Sequence, residues 1–333
     1  MHFQNRQKEQ DDLQKYLRRE PNSILFLYGP KSCGKSTLLN KVISEIDQKK
    51  YAVNFLDLRQ VIINNFKSFL DVFFQRDLKS KTQDILSGTT FNIGFFKIGI
   101  RDEEIFKKNS FKIIIDQIRK AREKNIQPII VIDEIQELKE IYVNDGKRLI
   151  DELFNLFIAL TKVEHLAHII LATSDSYFIQ EIYNSAKLSK TSEFYLVNHL
   201  EKKDIIDWLQ QKDIENKDID YIYKYLGGSP WEISQVIDDI SEGVSVSDAI
   251  SKRIKLLRGQ VMMFYRGLDS KSKSNFKRIS NIIASKDYYK QKKNDNLDDI
   301  LSQAIEKDIW FYEASEEKIT ANSCSLKYIF KEL

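Results

Sequence analysis

The sequence predicts an α/β fold around a parallel sheet, followed by a run of helices and a small mixed C-terminal domain. Three observations carry this. Short apolar runs at 23–28 (SILFLY), 128–132 (PIIVI) and 168–173 (HIILAT) read as strands buried on both faces of a sheet. Stretches of helical periodicity separate them, as parallel strands require. From Glu201 the strands stop, and short amphipathic helices follow one another instead.

Taken in order, residues 5–20 form an opening helix with Leu13, Tyr16 and Leu17 as its apolar stripe and Pro21 as its stop. After the first strand, residues 35–46 carry Leu38, Leu39, Val42, Ile43 and Ile46 at helical spacing. Residues 51–58 make a second strand passing through Asp57, 61–87 a helical stretch, and 91–100 (FNIGFFKIGI) an extended or hairpin insertion. A helix at 109–124, the strand at 128–132, a helix near 146–163, the strand at 168–173, a helix from about 175 and a short strand at 194–197 complete the alternation. Helices follow at 201–211, 217–226, 230–242 and 246–257. Beyond Arg258 come a helix (271–285), a polar linker (SKDYYKQKKNDN), a helix (297–307), two short strands (309–314 and 317–321) and a closing helix, the order of a winged helix.

The chain has 333 residues, enough for two or three domains, and its 42% hydrophobic and 30% charged content is that of a soluble globular protein. Its 52 basic and 49 acidic residues nearly cancel, so any contact with nucleic acid has to come from a local patch. Cys33 and Cys324 form no disulfide framework or metal pattern. His165 and His168 are three apart but lack an acidic or cysteine partner at ligand spacing. No N-terminal run fits a signal peptide and no stretch nears the ~20 apolar residues of a membrane span, so a cytoplasmic protein without a membrane partner is expected.

Residues 29–37 read G-P-K-S-C-G-K-S-T and match G-x-x-x-x-G-K-[ST]. Gly29, Pro30, Lys31, Ser32, Cys33 and Gly34 would wrap a phosphate chain with main-chain N–H groups, and the helix beginning at Lys35 would add positive potential. Lys35 would reach the β- and γ-phosphates; Ser36, with Thr37 beside it, would place a hydroxyl on Mg²⁺. A chance match in a chain this long arises roughly 1% of the time, and the strand–loop–helix setting lowers that further. The thiol of Cys33 reads either as a small tolerated side chain or as a redox-sensitive one at a helix N-terminus.

The strand at 128–132 closes on Asp133 and Glu134. Asp133 would hold Mg²⁺ together with Ser36, and Glu134 would act as general base toward the attacking water, which favours ATP hydrolysis over transfer to a second substrate. At the end of the neighbouring strand, Ser174, with Thr173 as the alternative, would reach the γ-phosphate or that water. Guanine recognition would need N-K-x-D; the nearest text, Asn216-Lys217-Asp218-Ile219, fails at its last position, so ATP and ADP are the expected nucleotides.

With these motifs in place the chain resembles the archaeal ATPase family, among the AAA+ and STAND-like P-loop NTPases. The opening F-x-x-R-x-x-E (Phe3 to Glu9), the text FLDLRQ after the second strand, Asp-Glu-x-x-E-L (Asp133 to Leu138), A-T-S-D, and G-G-S-P-W (Gly227 to Trp231) all look like family features. The resemblance implies an AAA+-like core over 1–198, a helical lid over 199–257 and a winged-helix-like domain over 258–333. It implies that Arg6 lies at the edge of the nucleotide site and that Pro230 borders the base. Relatives carry a Gly-Arg pair before the last core strand, a candidate arginine finger. Here that stretch, residues 186–191, has no arginine, and Lys190 would be a point charge without the guanidinium fork.

Three functions are therefore expected to compete. One is a Mg²⁺-dependent ATPase whose nucleotide state moves the lid and winged-helix domains, slowly if the arginine is missing. Another is a STAND-like nucleotide switch with little turnover, acting on a protein partner. The third is a DNA-binding ATPase of the initiator or repair type. For DNA the best stretch is 286–293, with Tyr288 and Tyr289 among its lysines, which reads equally as a solvated linker; the helix at 297–307 is acidic, with Asp298, Asp299 and Glu306.

Overall fold

A computed structural model of the chain describes residues 6–74, 103–143, 146–291 and 297–333, with the side chains of 103–109 and 298 excepted. The expected insertion at 91–100, the second half of the helical stretch at 61–87, Phe3, Lys292 and Lys293 lie outside the described residues.

Helix α1 (Gln7–Arg18) precedes β1 (Ile24–Tyr28), α2 (Lys35–Glu45), β2 (Tyr51–Asp57), α3 (Phe66–Phe73) and α4 (Glu103–Glu123). Then come β3 (Gln127–Asp133), α5 (Leu149–Ile158), β4 (His168–Thr173), α6 (Ser176–Asn184) and β5 (Ser192–Leu196). These five strands form one parallel sheet in the order β2-β3-β4-β1-β5. Every residue of β1 and β4 is buried, which is why both are uninterrupted apolar runs. Successive side chains still alternate between two cores: Ile24, Phe26 and Tyr28 face one, Leu25 and Leu27 the other, where Leu38, Leu39 and Val42 of α2 cover them. The sheet thus holds β1 between β4 and β5 and puts every strand's carboxyl end on one edge.

Helices α7 (Lys202–Gln210), α8 (Asn216–Leu226), α9 (Pro230–Ser241) and α10 (Val246–Gly267) follow. Helix α10 is continuous across residue 257, where the sequence suggested a break, because Ile250, Ile254, Leu257 and Val261 keep one buried stripe without a stop signal. The last unit is α11 (Ser270–Lys286), β6 (Tyr288–Lys290), α12 (Asp298–Glu306), β7 (Trp310–Glu313), β8 (Lys318–Ala321) and α13 (Cys324–Phe330). Its strands pair antiparallel in the order β6-β8-β7. Part of the expected linker is therefore a strand: Tyr289 is buried opposite Ile319, while Tyr288 and Lys290 face outward.

This unit is seated on the parallel sheet. The ring of Phe311 stacks on Tyr28 with centroids 6.4 Å apart, and the Tyr312 main-chain N–H donates to Ser176 Oγ at 3.1 Å. Its α12–β7 turn consequently faces the residues that follow β1.

Candidate active site

The chain leaves β1 at Tyr28 and enters the glycine-rich loop before α2 begins at Lys35. Ser32 and Gly34 take left-handed backbone conformations, with φ of 60° and 100°, the kind from which anion-binding nests are built, while the Lys31 N–H donates to Asn322 Oδ1 and the Cys33 N–H to Pro30 O, both at 3.3 Å. Gly29 has no room for a side chain, since a Cβ there would stand 2.0 Å from the Val197 carbonyl oxygen. The buried Lys35 ammonium curls into the loop and donates to the carbonyls of Gly29 and Pro30, both at 3.0 Å. Cys33 is fully buried, its thiol donating to Val197 O at 3.1 Å, a packing position. Ser36 and Thr37 are half-buried at the start of α2, whereas Lys31 and Ser32 are exposed.

At the end of β3 the Asp133 carboxylate is wholly buried and Glu134 is nearly so. Glu134 holds φ at 59°, a left-handed conformation that costs a β-carbon residue on the order of 1 kcal/mol. Its carboxylate accepts from Ser174 Oγ at 3.0 Å and from Gln136 Nε2 at 2.6 Å. Thr173, the alternative to Ser174, instead donates to Gln136 Oε1 at 2.6 Å. Asp175 caps α6 by accepting from the Phe178 N–H at 3.0 Å, and it pairs with Lys139 at 3.0 Å.

Arg59, in the turn after β2, is the member of this group that sequence reasoning missed. Its Nη2 donates to Ser36 Oγ at 2.7 Å and to Asp133 Oδ2 at 3.0 Å, its Nε to Asp57 Oδ1 at 3.2 Å, and its Nη1 lies 3.4 Å from Glu134 Oε1. A signal was available: Arg59 stands two residues past a strand whose carboxyl end shares an edge with the loop. Burial pushes the Asp133 carboxyl up, and Glu134 beside it adds to this, against the pull of Ser36 and Arg59. Desolvation works against the Arg59 charge, but Asp57, Asp133 and Glu134 outweigh it and hold the group above its ordinary value.

The other expected residues separate into two groups. Buried Arg6 donates from Nη2 to Cys33 O at 2.5 Å and to Asn198 O at 2.8 Å, so the N-terminal segment is fastened to the loop and to the stretch after β5. That stretch continues to Leu200, whose N–H donates to Gly228 O at 2.9 Å; a Cβ on Gly228 would lie 1.8 Å from Leu200 O, which explains the glycine. Pro230 opens α9 just beyond, and its neighbours Ser229, Trp231 and Glu232 line a cavity of about 820 Å³ with Lys31 and Ser32. Lys190, by contrast, is exposed at the opposite edge of the sheet: the Thr191 carbonyl accepts from the Ile24 N–H at the start of β1. A strand of this length separates it from the loop by roughly 16 Å.

A second cavity, about 350 Å³, opens beside Ser174 and Asp175. Lys31 and Asp308 line both cavities and pair with each other at 2.6 Å, Asp308 coming from the α12–β7 turn. Burial pushes the Asp308 carboxyl up, against the pull of Lys31.

Comparison with known proteins agrees with this geometry. The family model described as an ATPase domain predominantly from Archaea matches residues 3–236. An uncharacterized ATP-binding protein of Methanocaldococcus jannaschii is 38% identical over 341 residues, covering 100% of this chain and 99% of its own. A second from the same organism is 36% identical, covering 100% and 95%. Among solved structures, a Walker-type ATPase of Pyrococcus abyssi superposes with a TM-score of 0.66 at 17% identity over 99% of this chain and 96% of its own. The Aeropyrum pernix ORC2 protein, solved with ADPNP and ADP, gives 0.53 at 12% identity over 99% and 94%. These two share the fold. The matched model covers well over half the chain and the full-length relatives exceed 30% identity, so the chain belongs to the family of ATPase domains found predominantly in Archaea.

Proposed function

We propose that this protein binds ATP with Mg²⁺ and hydrolyses it to ADP and phosphate, and that nucleotide state moves the helical lid (199–257) and the winged-helix-like unit (258–333). The observation that carries this reading is the meeting of Ser36, Asp133, Glu134 and Ser174 beside the Lys35 loop. Lys35 and the loop N–H groups would bind the phosphates, with Gly29 to Thr37 supplying the cradle. Arg6 and Pro230 would flank the base, because the Arg6–Asn198 and Leu200–Gly228 contacts bring the N-terminal segment and the start of α9 to one side of the loop.

The fit for Mg²⁺ can be judged from the donors. Ser36 Oγ and Asp133 Oδ2 both face one cationic nitrogen, Arg59 Nη2, so two hard oxygen ligands already converge on positive charge. When bound, Mg²⁺ supplies charge neutralisation on the β- and γ-oxygens. Glu134, held by Ser174 and Gln136, would take the proton as water oxygen bonds to the γ-phosphorus and the bond to the bridging oxygen breaks, leaving its electron pair on ADP.

Phosphate release by the full chain tests this. Glu134→Gln should lower it by about 10²–10⁴-fold with ATP binding retained, the usual span for a general base. A Glu134→Gln protein that hydrolyses ATP at the wild-type rate would falsify the assignment. The switch reading has one observation in its favour: Lys190 lies at the far edge of the sheet from the loop, so it cannot serve as a finger within its own chain. ATP binding with no measurable release in the wild type would decide for the switch. A DNA-binding reading rests on the outward Tyr288 and Lys290 of β6, and salt-dependent binding lost on neutralising Lys290, Lys292 and Lys293 would support it.

A further inference from the structure

Three carboxylates, Asp57, Asp133 and Glu134, surround the guanidinium of Arg59 at 3.2, 3.0 and 3.4 Å, and Ser36 Oγ accepts from it at 2.7 Å. Among the described residues no other guanidinium touches Ser36, Asp133 or Glu134. Arg6 is spent on Glu9 and on the carbonyls of Cys33 and Asn198, and Arg253 stacks on Trp231 with 3.8 Å from its carbon to the ring centroid. Arg59 is also divided along its length. Its main-chain N–H and its Nε both donate to Asp57 Oδ1, at 3.1 and 3.2 Å, and Asp57 is held again by Gln60 Nε2 at 2.9 Å. Of the distal nitrogens, Nη2 also reaches Asp57 Oδ2 but at a long 3.5 Å, against 2.7 Å to Ser36 and 3.0 Å to Asp133, and the side chain is 49% exposed.

We propose that Arg59 is a catalytic residue acting in cis: its guanidinium occupies the Ser36–Asp133 gap in the free protein, yields that gap to Mg²⁺, and then donates to the γ-phosphate while Asp57 tethers it. The proposal rests on the ATPase reading above. Two cations cannot share one pair of oxygens at these distances, so the guanidinium has to leave when the metal complex enters. Asp57 limits where it can go, since the Arg59 main-chain N–H stays bonded to Asp57 Oδ1 and the planar guanidinium turns as one unit beside that carboxylate. The phosphate that carries three charged oxygens then lies within reach of a planar double donor, the pairing that guanidinium makes best. Arg59 transfers no proton; water's proton goes to Glu134, and Arg59 stabilises the charge spread over the departing phosphoryl oxygens. Arg59 thereby supplies from within the chain what residues 186–191 lack.

The test compares wild type, Arg59→Ala and Arg59→Lys as full chains, titrating ATP and ADP at several Mg²⁺ concentrations and measuring phosphate release. Arg59→Ala should bind ADP as wild type does, lose the preference for ATP over ADP, and need roughly tenfold less Mg²⁺ for half-saturation with ATP, as one charge-assisted contact no longer competes. Its phosphate release should fall by about 10³–10⁵-fold. Arg59→Lys should keep the competition with Mg²⁺ but recover little of the rate, because an ammonium lacks the fork. Wild-type release by Arg59→Ala, or an unchanged ATP preference and Mg²⁺ requirement, overturns the proposal. Loss of ADP binding in both variants also overturns it, because Arg59 would then be building the loop. A wild type that binds ATP without turnover defeats the ATPase reading and the catalytic role of Arg59 with it, whereas wild-type release by Arg59→Ala defeats the role of Arg59 alone. A wild type that binds neither nucleotide defeats the ATPase reading itself.

Discussion

The two edges of the parallel sheet both carry polar groups and use them in opposite ways. At the amino edge most are matched and closed off, the buried His168 ring and Ser192 Oγ excepted. Tyr16 donates to the carbonyls of Ser23 and Ile169 at 2.8 and 3.1 Å, Glu193 accepts from Ser23 at 2.5 Å and pairs with Arg19 at 2.9 Å, and His165 meets Pro21 O at 2.6 Å. At the carboxyl edge one guanidinium faces three carboxylates, and Glu134 holds a left-handed backbone beside them. The amino edge stabilises a fold. The carboxyl edge stores uncompensated negative charge next to a loop shaped for an anion, an arrangement that a bound metal–phosphate complex would complete.

That contrast predicts different failures. The largest belongs to the amino edge and to stability. His168 is fully buried, its ring 5.2 Å from Tyr16, and burial lowers its pKa to about 4, an effect that the nearby main chain only partly opposes. Between the unfolded value near 6.5 and about 4 the unfolded chain takes up a proton that the folded chain refuses. Stability therefore falls as pH drops through that window, by on the order of 3 kcal/mol in total. His168→Phe keeps a ring against Tyr16 and removes the titration. Chemical denaturation from pH 7 to pH 4 should show a flatter acid limb for the variant, and an unchanged limb would mean that other groups set it.

The carboxyl edge should break in rate before it breaks in stability. Ser174→Ala removes one of the hydrogen bonds on Glu134 and leaves the one from Gln136 at 2.6 Å. A hydrogen bond to a charged group contributes about 1.5–3 kcal/mol, so phosphate release should fall by roughly tenfold to a hundredfold. Thr173→Ala should cost less, since Thr173 touches Gln136 and reaches Glu134 only through it. Equal losses in the two variants would show that Ser174 acts by packing.

Much of this was legible in the sequence because the signals are local. Residues 23–37 carry a buried strand, the glycines and the lysine in one stretch, and Asp133-Glu134 directly ends an apolar run. The same holds for β4, which the structure reproduces residue for residue at 168–173. What stayed hidden depends on partners distant in the chain. Arg59 is one arginine among many until β2 is paired beside β3, which brings Asp57 level with Asp133. Tyr288–Lys290 looks like linker because its strand exists only opposite Lys318–Thr320. Helix α10 runs through residue 257 because tertiary burial, not a capping residue, sets its length.

A contact far removed from sequence logic joins the two regions of the molecule that meet at the loop. Lys31 and Asp308 are 277 positions apart and pair at 2.6 Å, with side chains 57% and 36% exposed. Exposed pairs of this kind contribute about 0–1 kcal/mol, so Asp308→Ala should leave thermal stability nearly unchanged. Its effect on nucleotide should have the opposite sign from that of the other substitutions. Asp308 holds a carboxylate at the mouth of the loop proposed to cradle the phosphates, and removing a like charge there should tighten ATP binding by about twofold to fivefold at low salt. Screening should erase the gain near 1 M salt, where the Debye length is about 3 Å. Calorimetric titration at the two ionic strengths reads this directly. Weaker ATP binding in Asp308→Ala would mean that the Lys31–Asp308 pair holds the loop in its binding shape, and the C-terminal unit would then be a support for the nucleotide site rather than a competitor of its ligand.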